Sequence, residues 1–160
     1  MVILGIDPAL AVTGYGAITV RGTAMSLIEA GVIKTNARMP LPERLNTIYG
    51  SVIRLIGDTK ADVLVLEKLY AHYRHPVTSF QLGQARGVIC LACAVKKVPL
   101  IEYAATRVKK AVVGKGLASK QQVQRMVGTL LEIKELPSYT DVTDALALAM
   151  AHCYIMRRTR

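Results

Sequence analysis

Acidic residues are scarce in this chain: 11 Asp and Glu stand against 21 Lys and Arg, for a net charge of +10. Long apolar runs are absent too. Gly, Gln, Arg or Lys breaks each run well short of a bilayer's thickness, so no membrane contact is expected. The opening Met1–Asp7 has neither a basic leader nor a small-residue cleavage site. A secretory signal is therefore not expected, and a cytoplasmic location is. Cysteines number three, an odd count that argues against a disulfide framework and for free thiols in a reducing compartment. No segment is low in complexity, and neither a repeat nor a linker interrupts the chain. With 160 residues of which 52% are hydrophobic, residues 1–160 read as a single domain with a real core.

The excess of positive charge is not spread evenly. Lys96, Lys97, Arg107, Lys109, Lys110, Lys115, Lys120 and Arg125 fall in one stretch in which the sole acid is Glu102. A solvated helix surface would interleave the two signs. An unbalanced run instead implies a basic face suited to a polyanion, most often nucleic acid.

Periodicity predicts the elements. Val2–Ile6 is a continuous apolar run, as in a strand buried on both faces, and Val63–Leu66 is a second. Tyr15–Val20 and Ser26–Lys34 read as a hairpin through Arg21, Gly22 and Thr23. Leu41–Ile56 has helical spacing, with Gly57 expected to close it. Thr78–Val95 reads as a helix rich in small residues, including Gly83 and Gly87. Val98–Ile101 is a short strand. Ala104–Val113, Ser119–Glu132 and Tyr139–Met156 are helices. The order implies an α/β fold with a mixed sheet between helices, in which functional groups gather at the carboxyl ends of strands.

The few acids stand at such ends. Asp7 follows Val2–Ile6 and precedes Pro8, and Glu67 follows Val63–Leu66. Asp141 and Asp144 lie three apart in the first turn of the last helix, so they share a face. Taken alone, that pair reads as a helix cap favoured by the dipole. The four carboxylates together, beside a core, repel one another unless cations hold them. An all-oxygen donor set suits Mg²⁺, with Mn²⁺ as a substitute. Two such ions are the usual arrangement for phosphodiester hydrolysis.

Other constellations are weaker. His72 and His75, or Cys90 and Cys93, have zinc-like spacing, but the cysteines lie in an apolar helix where cysteine is a small core residue. His152 reads as a packed histidine. Gly114-Lys115-Gly116 lacks the spacing of a Walker loop. Tyr70 and Tyr73 could cover a loop or stack on bases. An actin-like ATPase also opens with a strand, Asp and glycines, but needs a second lobe.

Specific motifs carry a resemblance. Gly5-Ile6-Asp7-Pro8 and Thr13-Gly14-Tyr15-Gly16 resemble the opening of the RuvC family of Holliday-junction resolvases. So do Leu82-Gly83-Gln84-Ala85-Arg86-Gly87, Glu102-Tyr103-Ala104, Val112-Val113-Gly114, Gln122-Val123-Gln124-Arg125-Met126-Val127 and Asp144-Ala145-Leu146-Ala147. They occur in family order from residue 2 to about 153. The resemblance implies a ribonuclease-H-like fold, with a five-stranded mixed sheet flanked by helices. It implies a homodimeric endonuclease that makes paired nicks in four-way DNA junctions during recombination and repair, in cooperation with a branch-migration motor. It places metal ligands at Asp7, Glu67, Asp141 and Asp144, and supporting lysines at Lys109 and Lys120. It makes Tyr70 the aromatic residue that disturbs base stacking. Arg74, Arg86, Lys110 and Lys115 join Tyr70, Lys109 and Lys120 as expected DNA contacts. A nuclease for RNA–DNA hybrids and a non-catalytic junction-binding module are the competing readings.

Overall fold

The computed structural model describes residues 1–69 and 76–158. The chain opens with an antiparallel meander of β1 (Val2–Asp7), β2 (Val12–Arg21) and β3 (Ala24–Lys34), followed by α1 (Leu41–Thr59) and β4 (Val63–Glu67). Then come α2 (Pro76–Lys96), β5 (Leu100–Tyr103), α3 (Ala105–Val113), α4 (Lys120–Leu130) and α5 (Thr140–Arg158). The five strands form one sheet in the order β3-β2-β1-β4-β5. β1 pairs antiparallel with β2 but parallel with β4, and β4 pairs parallel with β5. The expected mixed sheet is therefore present.

Each face of the sheet carries its own core, and strand alternation supplies both. In β1, Ile3 points to the side covered by α3, α4 and α5, whereas Leu4 and Ile6 point to the side covered by α1 and α2. In β4, Val63 and Val65 join the first core, Leu64 and Leu66 the second. This is why both strands read as unbroken apolar runs: neither face meets water. Each such Leu or Ile contributes about 1.5–3 kcal/mol by burial.

The α5 layer is unusually close to the sheet. From Ala145 to Ala151 every residue of α5 is at most 2% exposed, as in a helix buried all round. A Cβ on Gly5 would collide with the backbone carbonyl of Ala145, and one on Gly14 would lie 2.7 Å from Cβ of Asp141. Glycine at these two positions lets the helix rest on the strands backbone to backbone.

The observed elements differ from the predicted ones mainly at their ends. Gly57 does not close α1. The helix runs on to Thr59, whose hydroxyl donates to the Leu55 carbonyl at 2.6 Å, and Lys60 supplies the left-handed cap at φ 54°. The fifth strand begins at Leu100, not Val98, because Lys97 (φ 56°) and Val98 turn back onto α2, with the Val98 amide donating to Cys93 at 3.0 Å. The hairpin turn is tighter than expected: Arg21 pairs with Ala24, which leaves Gly22 and Thr23 as the turn. Gly22 takes φ +57°, the left-handed geometry that such a turn favours.

Candidate active site

Three elements end at one point. Ile6 of β1 pairs with Leu66 of β4, so Asp7 and Glu67 leave the sheet side by side. α5 begins above them because Gly14, the register partner of Asp7, seats Asp141. One turn later Asp144 faces the same cleft. That cleft, of about 230 Å³, is lined by Asp7, Glu67 and Asp144 together with Lys109 and Lys120. Val108, Val123 and Leu148 form its apolar floor. Asp141 does not line the cleft, although its charge is felt by Asp7.

Lys120 is placed by its own helix start. Ser119 and Gln122 form a reciprocal capping box, with the Gln122 amide donating to the serine hydroxyl at 3.2 Å and the Ser119 amide donating to the glutamine side chain at 2.8 Å. The first residue of α4 is thereby fixed, and its Nζ donates to Asp144 Oδ2 at 3.0 Å. The side chain of Lys120 is 70% exposed, so this ion pair faces solvent. Lys109, on α3, lines the same cleft, and Lys110 and Lys115 are exposed.

The electrostatics are those of too many carboxylates in too little water. Burial, followed by the charges of Asp144, Asp141 and Glu67, pushes the Asp7 carboxyl up to about 7, against a relieving pull from Lys120. Burial and Asp144 likewise raise Glu67, while Lys120, Lys109 and Arg86 pull it back. The hydrogen bond and charge of Asp144 raise Lys120. Yet the acids are not drawn into a cage: among the described residues, no three His, Cys, Asp or Glu side chains converge closely enough to hold an ion. The donor chemistry nevertheless fits a hard divalent cation, because every candidate atom is a carboxylate oxygen and each gains from an added positive charge.

Tyr70 and Arg74, like His72, Tyr73 and His75, are outside the described residues. Arg86, expected among the DNA contacts, is only 9% exposed: its guanidinium turns towards the sheet to meet the Glu67 carbonyl and the Glu102 carboxylate, and it lines a second cleft with Asp7, Glu67 and Lys68. Its position on the inward face of α2 sets this direction. His152 is packed, with Nδ1 at 2.9 Å from the Tyr103 hydroxyl, and burial lowers its pKa. Cys93 is a buried free thiol.

The seating of α5 by Gly5 and Gly14 is not part of the sequence reading, which looks for close approach at Gly83 and Gly87 instead. Its signal was available: glycines at alternate positions of adjoining strands, matched by alanines at Ala145 and Ala149.

Residues 3–152 match the family described as "Crossover junction endodeoxyribonuclease RuvC". A protein of that name from Rhodopirellula baltica is 43% identical over 153 residues, which cover 96% of this chain and 86% of that protein. Another from Pseudothermotoga lettingae is 37% identical over 160 residues, covering 100% of this chain and 98% of that one. Thermus thermophilus RuvC, solved in complex with a Holliday junction substrate, superposes with a TM-score of 0.94 at 31% identity over 99% of this chain and 96% of that one. The shared architecture is ribonuclease-H-like. With such agreement in both sequence and fold, the chain belongs to the RuvC family of crossover junction endodeoxyribonucleases.

Proposed function

We propose that this protein resolves four-way DNA junctions by hydrolysing two opposed phosphodiesters with the help of divalent cations, as a homodimer. One observation carries the chemistry: Asp7, Glu67 and Asp144 arrive from three different elements in one cleft that also holds Lys109 and Lys120. Asp7, Glu67 and Asp144 would hold Mg²⁺ or Mn²⁺, with Asp141 at the margin. Bound there, a pair of such ions supplies an activated water and charge stabilisation at the leaving oxygen.

The chain's own residues do the remainder. Near neutral pH the Asp7 carboxyl, with its pKa near 7, is poised between its two protonation states, and it would hold a cation in its charged form. Lys120 neutralises Asp144 in the resting site. Its exposed side chain is then available to meet a backbone phosphate, with Lys109 lining the same cleft. Lys110 and Lys115 extend the basic rim along the DNA, and Tyr70 and Arg74 stay assigned to the junction itself.

A junction has two-fold symmetry, and one site per chain calls for two chains. The outer face of α2 suits the contact. Phe80, Leu91 and Val95 are 68%, 54% and 56% exposed there, and nothing lies within 4 Å of a Cβ placed on Gly83 or Gly87. Residues 1–160 work as one nuclease domain. Among the described residues no helix is long and apolar enough to cross a membrane. A cytoplasmic location and cooperation with a branch-migration motor are what membership of the family implies.

A substrate panel tests the reading. Labelled four-way junction, duplex, single strand and RNA–DNA hybrid are incubated with and without Mg²⁺. Paired, symmetric nicks in the junction, only with the cation, are expected. Preferential cutting of the hybrid would replace the junction by that substrate, and binding without cutting would make the protein a junction-binding module.

A further inference from the structure

Arg86 stands at a meeting of three elements. It belongs to α2, but Nη1 donates to the main-chain carbonyl of Glu67, the last residue of β4, at 2.7 Å. Its Nη2 pairs with the carboxylate of Glu102 on β5. A guanidinium that is only 9% exposed is costly to bury; here the Glu67 carbonyl accepts from Nη1, and the Glu102 carboxylate sets an opposite charge beside Nη2, which has no hydrogen-bond partner among the described residues. The bond to the carbonyl is charge-assisted, and the planar guanidinium can hold it and the ion pair together.

The location gives the fork its consequence. Glu67 is the point where β4 leaves the sheet. One residue later, the Lys68 amide makes a rung to the Tyr103 carbonyl at 2.8 Å. The Glu67 carbonyl and carboxylate belong to the same residue, so whatever fixes the first limits the direction of the second. We propose that Arg86 is a positioning residue: with Glu102 it clamps the end of β4 and thereby aims the Glu67 carboxylate into the cleft. The proposal rests on Glu67 being a cation ligand. It gives Arg86 no contact with DNA or with the reacting atoms.

The test uses Mn²⁺ binding to the full-length protein without DNA, read from the loss of free-ion electron paramagnetic resonance signal. Arg86→Lys keeps the charge but cannot make both bonds. It is expected to weaken Mn²⁺ binding about tenfold or more, the usual scale for residues that orient ligands. Junction binding in the absence of divalent ions should stay within about twofold of wild type, because lysine keeps the positive charge and the clamp acts through Glu67. Glu102→Gln, at a half-exposed position, is expected to shift Mn²⁺ binding the same way by less. If Arg86→Lys does not fold by circular dichroism, Glu102→Gln decides alone. Asp7→Asn is measured alongside. Wild-type affinity in the folded clamp variants, with loss in Asp7→Asn, overturns the clamp and leaves the metal site standing. Wild-type affinity in Asp7→Asn itself removes the metal site, and the clamp with it.

Discussion

Glycine occurs in two opposite settings in this molecule. Gly5 and Gly14, in β1 and β2, are pressed against the backbone of α5, with no room for a single added carbon. Gly83 and Gly87, in α2, face open space. The first pair builds the interior of the protomer, bringing the helix that carries Asp141 and Asp144 down onto the strand that ends in Asp7. The second pair does nothing for the protomer that an alanine would not do better, since glycine inside a helix costs about 1 kcal/mol relative to alanine. A small residue that is unnecessary inside its own chain, on a face that also exposes Phe80 and Leu91, is what the proposed homodimer would use.

Substitution breaks or sharpens this contrast. The largest effect is expected at Gly14. Gly14→Val would drive a side chain into the backbone of Asp141, so α5 must lift from the sheet. Destabilisation by more than about 3 kcal/mol is expected, with loss of cleavage, as read by thermal melts and a junction assay. A Gly14→Val protein that melted near wild type would mean that α5 is not seated by the glycine.

Next comes Asp7→Asn. The amide keeps the shape and removes a charged oxygen, so cleavage should fall by about 10²–10³-fold or more. Junction binding should be kept or strengthened, since one repulsive charge is gone; filter binding beside the cleavage assay separates the two. Asp144→Asn should behave alike. Asp141→Asn should be milder, in keeping with its place outside the cleft.

Gly87→Leu should leave the fold intact, within about 1 kcal/mol of wild type, because nothing lies within 4 Å of the added carbon. It should nevertheless yield a monomer by sedimentation. A stable Gly87→Leu dimer would move the interface off α2. The smallest effects are expected at the rim. Lys110→Ala and Lys115→Ala should each weaken junction binding modestly and lower the slope of affinity against salt by about one, as for a single lost phosphate contact. An unchanged slope would remove that lysine from the DNA face.

Much of this was legible in the sequence, for identifiable reasons. Val2–Ile6 and Val63–Leu66 announced themselves because both faces of each strand are buried, and the acid that follows each run is where charge becomes affordable. Asp141 and Asp144 were visible as a pair on one helical face. Other features depend on tertiary contact. The inward turn of Arg86 follows from which side of α2 meets the sheet, and a helix rich in small residues does not show that side. The end of α1 at Lys60 required a left-handed lysine, where the sequence offered Gly57. The partnership of Lys120 with Asp144 spans 24 residues and depends on how α4 packs against α5.

The central claim is that the cleft's carboxylates repel one another until a cation binds, and the pH dependence of stability tests it most directly. Asp7 has a folded pKa of about 7 against 3.8 for the free group. The folded state therefore holds a proton that the unfolded state has released, and stability from this group falls as pH rises from about 4 to about 7. Raised Glu67 acts in the same sense. His152, held neutral by burial, acts in the opposite one. Comparing wild type with Asp7→Asn isolates the Asp7 contribution. Melting both proteins at pH 5 and pH 8, with and without Mg²⁺, is the measurement. Without the ion, Asp7→Asn should gain on wild type between pH 5 and pH 8, by an amount on the order of 1–4 kcal/mol. Mg²⁺ should stabilise wild type more at pH 8 than at pH 5, and Asp7→Asn less than wild type at both. Parallel melting curves for the two proteins, with no response to Mg²⁺ in either, would contradict the account.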